Sequence, residues 1–411
     1  MRKKWIILLF ALSLAGMVLL SGCVNQPPAT IPAPTPTGTV QPAAAPKLYS
    51  QSELDAQMQW RQLWTDHTVW TRMYIIESLD NSPAADAAAA RLLKNQEDIG
   101  NAIKPYYGEA AGTQLTALLK EHILIAVAII NDVKAGNATA QAADETNWTS
   151  NADQISVFLA NANPNWPVAD VRDLMHMHLS TTKDELVARA TKNYPADVQA
   201  WDAVYSHILK MSDAISAGII KQYPDKFAGP KIYSQNEADL RNGMRQFWTD
   251  HTVWTRLYII ESLNDSPAAT PAATRLLKNQ EDIGNAIRPY YGDAAGTQLT
   301  TLLKDHITIA VAIINDVKAQ NATAQAADEA LWTGNADQIS QFLAAANPNW
   351  PLATLEDLMH MHLSTTKDEL VARYTKNYPA DVQAWDAVYS HILKMSDALS
   401  DGIVKQFPAK F

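Results

Sequence analysis

The residues best suited to chemistry in this sequence are ten histidines, which fall into two equivalent sets of five. The nine residues 64–72, Trp-Thr-Asp-His-Thr-Val-Trp-Thr-Arg, contain His67 and return unchanged at residues 248–256, where His251 is the copy of His67. From there the match continues without a gap to the end of the chain. The body of the protein is therefore a tandem duplication, and any site built from these histidines is expected twice.

Four of the five histidines in each copy fall on apolar faces of predicted helices. Residues three, four, seven or eight positions apart share one face of a helix. His67 lies in a stripe of Trp and Tyr side chains, and His122 lies in a long stripe of Leu, Ile and Val. His178 and His207 lie on smaller apolar faces, whereas His176 points about 160° away from His178. We expect His176 to border solvent or the neighbouring copy.

The four apolar histidines also lie near the midpoints of their predicted helices. In an antiparallel bundle the midpoints coincide in height, so these imidazoles are expected to converge, as they do where bundles hold a metal or haem. The predicted ligands are His67, His122, His178, His207, His251, His306, His362 and His391. The amides predicted to hold their free N–H groups are Asn95, Asn151, Asn279 and Asn335.

The chemistry of such a site would be that of imidazole ligands. These suit Zn, Cu, Ni or Fe, or the iron of a haem, and the single cysteine makes thiolate ligation unavailable. In a second hypothesis the buried histidines only form a hydrogen-bonded layer that orders the core of a structural or interaction module. A third hypothesis is a module that binds a small solute beneath Trp64, Trp70 and Tyr74.

Motifs that would identify a reaction are missing from the sequence. It has no Gly-x-Ser-x-Gly elbow, no phosphate-binding Gly loop and no His-Glu-x-x-His. Asp173 and His176 have the spacing of half a di-iron carboxylate motif, but the partner glutamates on other helices are lacking. A binding or structural role is therefore favoured over catalysis. The formal charge of −10 argues against a nucleic-acid partner.

The elements that must position these histidines are helices. Apolar residues recur at helical spacing, and no alternating β-branched run bounded by tight turns is found, which predicts an all-α fold. Turn signals divide each copy into about six helices, four of them long, which we interpret as two tandem antiparallel bundles spanning 47–228 and 229–411. In the first copy the predicted helices are 52–79, 84–103, 109–135, 139–162, 168–192 and 196–222.

The first 46 residues are predicted to be a signal peptide followed by a tether. Basic residues at positions 2–4 precede an apolar run over 5–20, which is shorter than the ~20 residues of a membrane-spanning helix. Leu20-Ser21-Gly22-Cys23 resembles the lipobox of bacterial and archaeal lipoproteins. That resemblance implies cleavage before Cys23, a lipid on its thiol and an extracytoplasmic protein anchored to the cell membrane. Residues 24–46 are rich in Pro, Ala and Thr, which predicts an extended linker.

The body also resembles a known family. Three motifs carry the resemblance: Asp-His-x-x-Trp-Thr-Arg from Asp66, Asn-Pro-x-Trp from Asn163, and His-Leu-x-x-Thr-Lys from His178. Together they resemble a family of helical proteins associated with spore-forming bacteria and archaea, whose members look like a single copy of this repeat. The resemblance implies the helical fold. It implies no activity and no protein partner.

Overall fold

Helices account for nearly all of residues 47–411, the part of the chain that the computed structural model describes. The first repeat contains α1 (Gln51–Leu79), α2 (Ala85–Ala135), α3 (Ala138–Ala162), α4 (Val168–Ala190) and α5 (Tyr194–Gln222). The second contains α6 (Gln235–Leu263), α7 (Ala269–Ala319), α8 (Ala322–Ala346), α9 (Leu352–Tyr374) and α10 (Tyr378–Gln406). The predicted all-α fold is confirmed. The predicted signal peptide, lipobox and linker lie outside the described residues.

Local sequence signals set the ends of these helices. Ser50 begins α1 with a capping box, in which its hydroxyl accepts from the Glu53 N–H and the Glu53 carboxylate accepts from the Ser50 N–H. Asn137 and Asn193 cap α3 and α5 with their side-chain oxygens. Gly136 ends α2 in the left-handed conformation, with φ of 66°. Each of these helices therefore begins or ends where the local sequence favours it.

The long helix α2 is two helices joined by a sharp reversal at Gly108. Gly108 has φ of 85° and ψ of 170°, a conformation that requires glycine, and Pro105 precedes it. The two arms touch, because a Cβ placed on Gly100 would lie 2.7 Å from the Gly112 carbonyl oxygen. We call the arms before and after Gly108 α2a and α2b. The same reversal occurs at Gly292 in α7, where the arms are α7a and α7b.

Six helical segments close into a ring in each repeat. Side-chain contacts between neighbours show that successive segments run antiparallel: Asn95 with Leu63, Lys120 with Glu97, Asn151 with Leu118, Arg172 with Asp153, and His207 with Leu174. An ion pair between Arg61 on α1 and Asp213 on α5 closes the ring. Segments α1, α2b and α4 consequently point one way, and α2a, α3 and α5 point the other way.

Large apolar side chains from the six segments fill the ring. Ile99, Ala152, Trp201 and Ile208 have no exposed surface. Burying an aliphatic or aromatic side chain of this size contributes ~1.5–3 kcal/mol, so the packed interior supplies most of the driving force for folding. By length and composition, one described helix, α2, could cross a membrane. One side of α2b, including Leu115 and Leu119, is buried in the ring, whereas Leu124 on the same segment is exposed.

The two rings pack against each other within one compact unit. The contacts join α1 to α6, α2 to α10, and α5 to α7. Two short antiparallel strands, β1 (Leu48–Tyr49) and β2 (Tyr233–Ser234), add a further link. The two copies of the repeat therefore pack together and are not joined by a linker alone.

Candidate metal centre

Three histidines from the three parallel segments meet in the middle of the first ring. His67 on α1, His122 on α2b and His178 on α4 are 2–3% exposed. The Nε2 atoms of His67 and His178 lie 3.4 Å apart. The rings of His122 and His178 are stacked, with centroids 5.9 Å apart and an interplanar angle of 23°. We call these three side chains, and their copies in the second ring, the histidine layer.

The side-chain amide of Gln96, on a segment antiparallel to α1, orients the His67 imidazole. Gln96 on α2a donates from Nε2 to the Leu92 carbonyl at 2.8 Å and to the Asn95 Oδ1 at 3.1 Å, which directs its Oε1 toward His67. That oxygen lies 3.3 Å from His67 Nδ1. Because an amide oxygen only accepts, the Nδ1 of His67 carries the proton. The Nε2 of His67 is then the atom with the lone pair, and it faces His178.

A second amide fixes His122 in the same way. Asn151 on α3 donates from Nδ2 to the Leu118 carbonyl at 3.2 Å, and its Oδ1 lies 2.9 Å from His122 Nδ1. The proton of His122 is therefore on Nδ1 and the lone pair is on Nε2. This nitrogen is buried and meets no polar partner among residues 47–411, and the same holds for His178 Nδ1. An unmet buried polar group costs ~1–3 kcal/mol, so a partner at either nitrogen would be stabilising.

Burial keeps the three imidazoles neutral. Loss of hydration lowers the pKa of His67 to about 3, with a further contribution from nearby His122. It lowers the pKa of His122 to about 4 and that of His178 well below its usual value. Neutral imidazole is the form that binds metal ions, so the layer does not have to lose a net proton before ligation at neutral pH. Because His178 Nε2 faces the lone pair of His67 Nε2, its proton has to move to Nδ1 before that nitrogen can be a ligand.

His207 does not belong to the layer, which corrects the prediction of four converging histidines. It is half-buried on α5, and its Nε2 donates to the Leu174 carbonyl on α4 at 2.8 Å. In the second ring His391 makes the same bond to Leu358, also at 2.8 Å. His207 lies near the midpoint of α5, as predicted. The imidazole of His207 points toward α4 and not toward the other three histidines. Each repeat therefore brings together three of its four predicted ligands.

The predicted supporting amides divide in a similar way. Asn151 contacts its histidine as predicted, and Asn335 does so in the second ring, where its Oδ1 lies 2.9 Å from His306 Nδ1. Asn95 does not touch an imidazole. It donates to the Leu63 carbonyl at 2.9 Å and braces Gln96, and its copy Asn279 bonds in the same way to Phe247. Gln96 was not predicted, although 29 residues separate His67 from Gln96, as they separate His122 from Asn151.

The remaining histidine of each repeat lies at the surface. His176 Nε2 lies 2.9 Å from an Asp153 carboxylate oxygen, and Arg172 pairs with the same oxygen. In the second ring His360 meets Asp337 at 2.8 Å. Because it pairs with Asp153 at the surface, His176 is not placed to form a di-iron site in the bundle core. Its exposure also makes it a matched control for substitutions inside the ring.

Two cavities flank the histidine layer of the first ring. Residues one turn before each histidine, Trp64, Leu119 and Met175, line an apolar cavity of about 560 Å³. Residues one turn after each histidine line a second cavity of about 350 Å³. The second ring repeats both, with about 500 Å³ and 360 Å³. Of the three residues predicted to cover a solute pocket, Trp64 lines the first of these cavities, whereas Trp70 and Tyr74 line neither.

A haem does not fit the layer. Two axial imidazoles span about 4 Å across a metal, twice the length of a metal–imidazole bond, whereas the Nε2 atoms of His67 and His178 are 3.4 Å apart. Aromatic rings also close the sides, with Trp64 centred 5.4 Å from His67 and Trp148 centred 5.1 Å from His122. Among the predicted cofactors, this packing favours a single ion over a haem.

The second ring repeats the positions of the imidazoles but not every hydrogen bond. His251 Nδ1 and Gln280 Oε1, the copies of His67 Nδ1 and Gln96 Oε1, have no hydrogen-bond partner among residues 47–411. The centroids of His251 and His362 are 5.4 Å apart, and those of His306 and His362 are 5.9 Å apart. Across residues 47–411, no group of three or more His, Cys, Asp or Glu side chains is spaced to hold a metal as it stands. In the first layer two imidazoles approach ligand spacing and the third is stacked beside them, and the second layer repeats the stacking.

Comparisons with known proteins add no relative. The chain matches no protein family, no curated protein and no solved structure. The histidine layer is therefore the main guide to function.

Proposed function

We propose that each ring binds one transition-metal ion through the Nε2 atoms of its histidine layer. The observation that carries this proposal is the pair of braced amides, which leaves lone pairs on the Nε2 atoms of His67 and His122 inside a dry core. Holding the other ring N–H with a fixed acceptor is how proteins orient metal-binding histidines. The ligands are His67, His122, His178, His251, His306 and His362.

The distance between the imidazoles of His67 and His178 suits two ligands of one ion. Tetrahedral coordination with bonds of ~2.0–2.1 Å separates two nitrogens by about 3.3 Å, close to the 3.4 Å between His67 and His178. His122 is the third ligand and has to move out of its stack on His178. Its Nε2 has no competing partner among the described residues, so this movement breaks no hydrogen bond at that atom.

The charge of the surroundings favours a monovalent ion. The groups that act electrostatically on the layer are other histidines, and no carboxylate is among them. Three neutral ligands leave the whole charge of the ion buried, and the cost of burying charge rises steeply with its magnitude. Among metals that accept imidazole, Cu(I) therefore suits the layer better than Zn(II), Ni(II) or Fe(II).

The proposal also includes the location of the protein. The lipobox-like sequence ending at Cys23 and the Pro-rich residues 24–46 support a protein held outside the cell membrane by a lipid. In that setting the two rings act as a surface-held metal-binding protein rather than as an enzyme. No protein partner is proposed.

The test is the metal content of residues 24–411, loaded with Cu(I) under anaerobic conditions and dialysed. We expect close to two ions per chain, and none after His122→Ala together with His306→Ala. The double variant His176→Ala and His360→Ala is the matched control and should keep both ions, because those imidazoles lie at the surface. Retention of both ions by the first double variant would disprove the proposed ligands.

A structural role is the second candidate, and one observation favours it. The 3.4 Å between the Nε2 atoms is also a hydrogen-bond distance, so the layer orders the core without any metal. Under this alternative the native protein binds neither Cu(I) nor Zn(II), and its stability is the same with and without added metal. A rise in melting temperature on adding Cu(I), lost in the His122→Ala and His306→Ala variant, excludes it.

A further inference from the structure

Charged pairs between the two rings come in reciprocal couples. Arg91 of the first ring pairs with Asp386 of the second at 3.1 Å, and Arg275, the copy of Arg91, pairs with Asp202, the copy of Asp386, at 3.0 Å. Residue i of one ring thus contacts residue j of the other, and j of the first contacts i of the second. This reciprocity defines an isologous interface with two-fold symmetry.

The same reciprocity holds in the buried part of the interface. Arg189 pairs with Glu261 at 2.8 Å, and its copy Arg373 pairs with Glu77 at 2.6 Å, with all four side chains 2–4% exposed. An unpaired charge at such a depth is strongly unfavourable. Each ring therefore depends on the other to satisfy a buried arginine and a buried glutamate.

Aromatic contacts follow the rule as well. The Arg72 guanidinium lies over the ring of Trp254 at 5.4 Å, and Arg256 lies over Trp70 at 5.4 Å. Stacking of guanidinium on indole buries apolar surface and adds cation–π attraction. These contacts make the centre of the interface aromatic and dry, as in stable protein–protein interfaces.

Some positions meet their own copies, which happens only on the two-fold axis. Tyr49 in β1 pairs with Tyr233 in β2. Thr65 and Tyr205 line one cavity together with their copies, Thr249 and Tyr389. A cavity of about 300 Å³ on the axis is lined by six positions together with their six copies.

Each of these contacts survives if a ring meets a second copy of itself. The charged and aromatic residues of these contacts are the same in both rings, so a pair of first rings would join Arg91 to Asp202 and Arg189 to Glu77. Around the cavity on the axis one of the six positions differs, with Met58 in the first ring and Asn242 in the second. We propose that this face is a self-association surface, whose partner is any second copy of the repeat. The tandem chain is then a covalently joined form of a two-fold homodimer.

The covalent link is not needed for the interface. The 3-10 turn Pro224–Phe227 ends the first repeat, and residues 228–232 leading to β2 are largely exposed. Lys231 contributes one ion pair, to Glu53 at 2.7 Å. None of the reciprocal couples lies in this segment, so cutting it leaves them intact.

The experiment is to place a protease site within residues 228–231 of the full chain and cut the folded protein. The cut chain is mixed with isotope-labelled cut chain, unfolded in urea, refolded by dilution and examined by native mass spectrometry. We expect paired rings of three kinds, first with first, second with second, and first with second. Single rings, or label exchange confined to pairs of unlike rings, would overturn the proposal.

Two matched variants sharpen the result. Asp202 is 44% exposed and, within residues 47–411, its ion pairs are all to Arg275, so Asp202→Lys leaves the fold of its own ring intact. It should abolish pairs of first rings through two repulsive contacts, weaken unlike pairs through one, and spare pairs of second rings. Asp386→Lys should show the mirror-image pattern. Equal loss of all three kinds of pair in either variant would contradict the two-fold geometry.

Discussion

The histidine layer and the Arg72 cluster are both buried and ionisable, yet they meet burial in opposite ways. The imidazoles lose their charge and are held by amide oxygens. Arg72 keeps its charge and is surrounded by Glu185 at 2.6 Å and Asp197 at 2.9 Å, all of them 1–3% exposed. The difference follows from the ordinary pKa of each side chain in water, since histidine can neutralise near pH 7 whereas arginine cannot.

This contrast matters for function. A site of neutral ligands with no counter-charge is open to a cation, whereas a cluster whose charges balance one another is closed to it. The layer therefore carries the proposed binding role, and the Arg72 cluster beside the interface carries stability. Stability measurements in acid, on core variants and on a surface variant test whether the histidine layer and the Arg72 cluster have these different roles.

The largest effect is expected from acid. The folded pKa of His67 is lowered to about 3 and that of His122 to about 4, both below the unfolded value. Between these values and about 6.5, these histidines bind more protons in the unfolded chain than in the folded one. Their contribution to stability is therefore fully present above about pH 6.5 and is lost as the pH drops. Each histidine contributes at most ~1.4 kcal/mol per pH unit. Burial raises the pKa of Glu185 and Glu369 to about 7, which acts in the opposite direction over the same pH range. Urea unfolding at a series of pH values is therefore compared between the wild type and His122→Ala, and the same pH dependence in both would contradict the neutral layer.

The next effect belongs to the Arg72 cluster. Arg72→Ala leaves Glu185 and Asp197 buried without their cation, and removing one partner of such a cluster costs ~3–5 kcal/mol. Chemical denaturation at neutral pH measures the loss. The copy variant Arg256→Ala should cost a similar amount. A loss below about 1 kcal/mol in both would show that the carboxyl groups take up protons and that the cluster is not charged.

A smaller effect is expected within the layer. His122→Ala leaves the Asn151 oxygen without its donor, which costs ~1–3 kcal/mol, and it also removes metal binding from the first ring. The matched variant His207→Ala loses a single hydrogen bond, worth ~0.5–1.5 kcal/mol, and should leave metal binding unchanged. Denaturation and metal analysis of the two variants separate the roles. Equal loss of metal binding in both variants would show that His207 is also a ligand.

The smallest effect is expected at the surface. Lys183 pairs with Glu145 at 2.6 Å, but the two side chains are 45% and 26% exposed. Lys183→Ala should therefore cost only ~0.2–1 kcal/mol, and less in high salt. Measuring its unfolding free energy at low and high salt places it against Arg72→Ala. A cost comparable to that of Arg72→Ala would mean that burial does not govern these ion pairs.

Much of the site was predictable because helical periodicity is local. The apolar stripes around His67, His122 and His178 placed these residues in the core, and their mid-helix positions placed them at one height. Gly108 after Pro105 marked the reversal that makes α1, α2b and α4 parallel. The stripe around His207 looked similar, but a helix face is wide enough to point toward either the ring centre or a neighbour. Packing of α5 on α4 decided that choice.

The amino-acid sequence by itself determined the duplication, the helices and their ends, and which histidines are buried, since these depend on residues close together in the chain. Tertiary structure alone decided which three imidazoles meet, that Gln96 rather than Asn95 holds one of them, and that Arg189 finds Glu261 across the two-fold axis. These choices depend on side chains far apart in the sequence, whose partners are selected by packing and by the cost of leaving a buried polar atom unpaired.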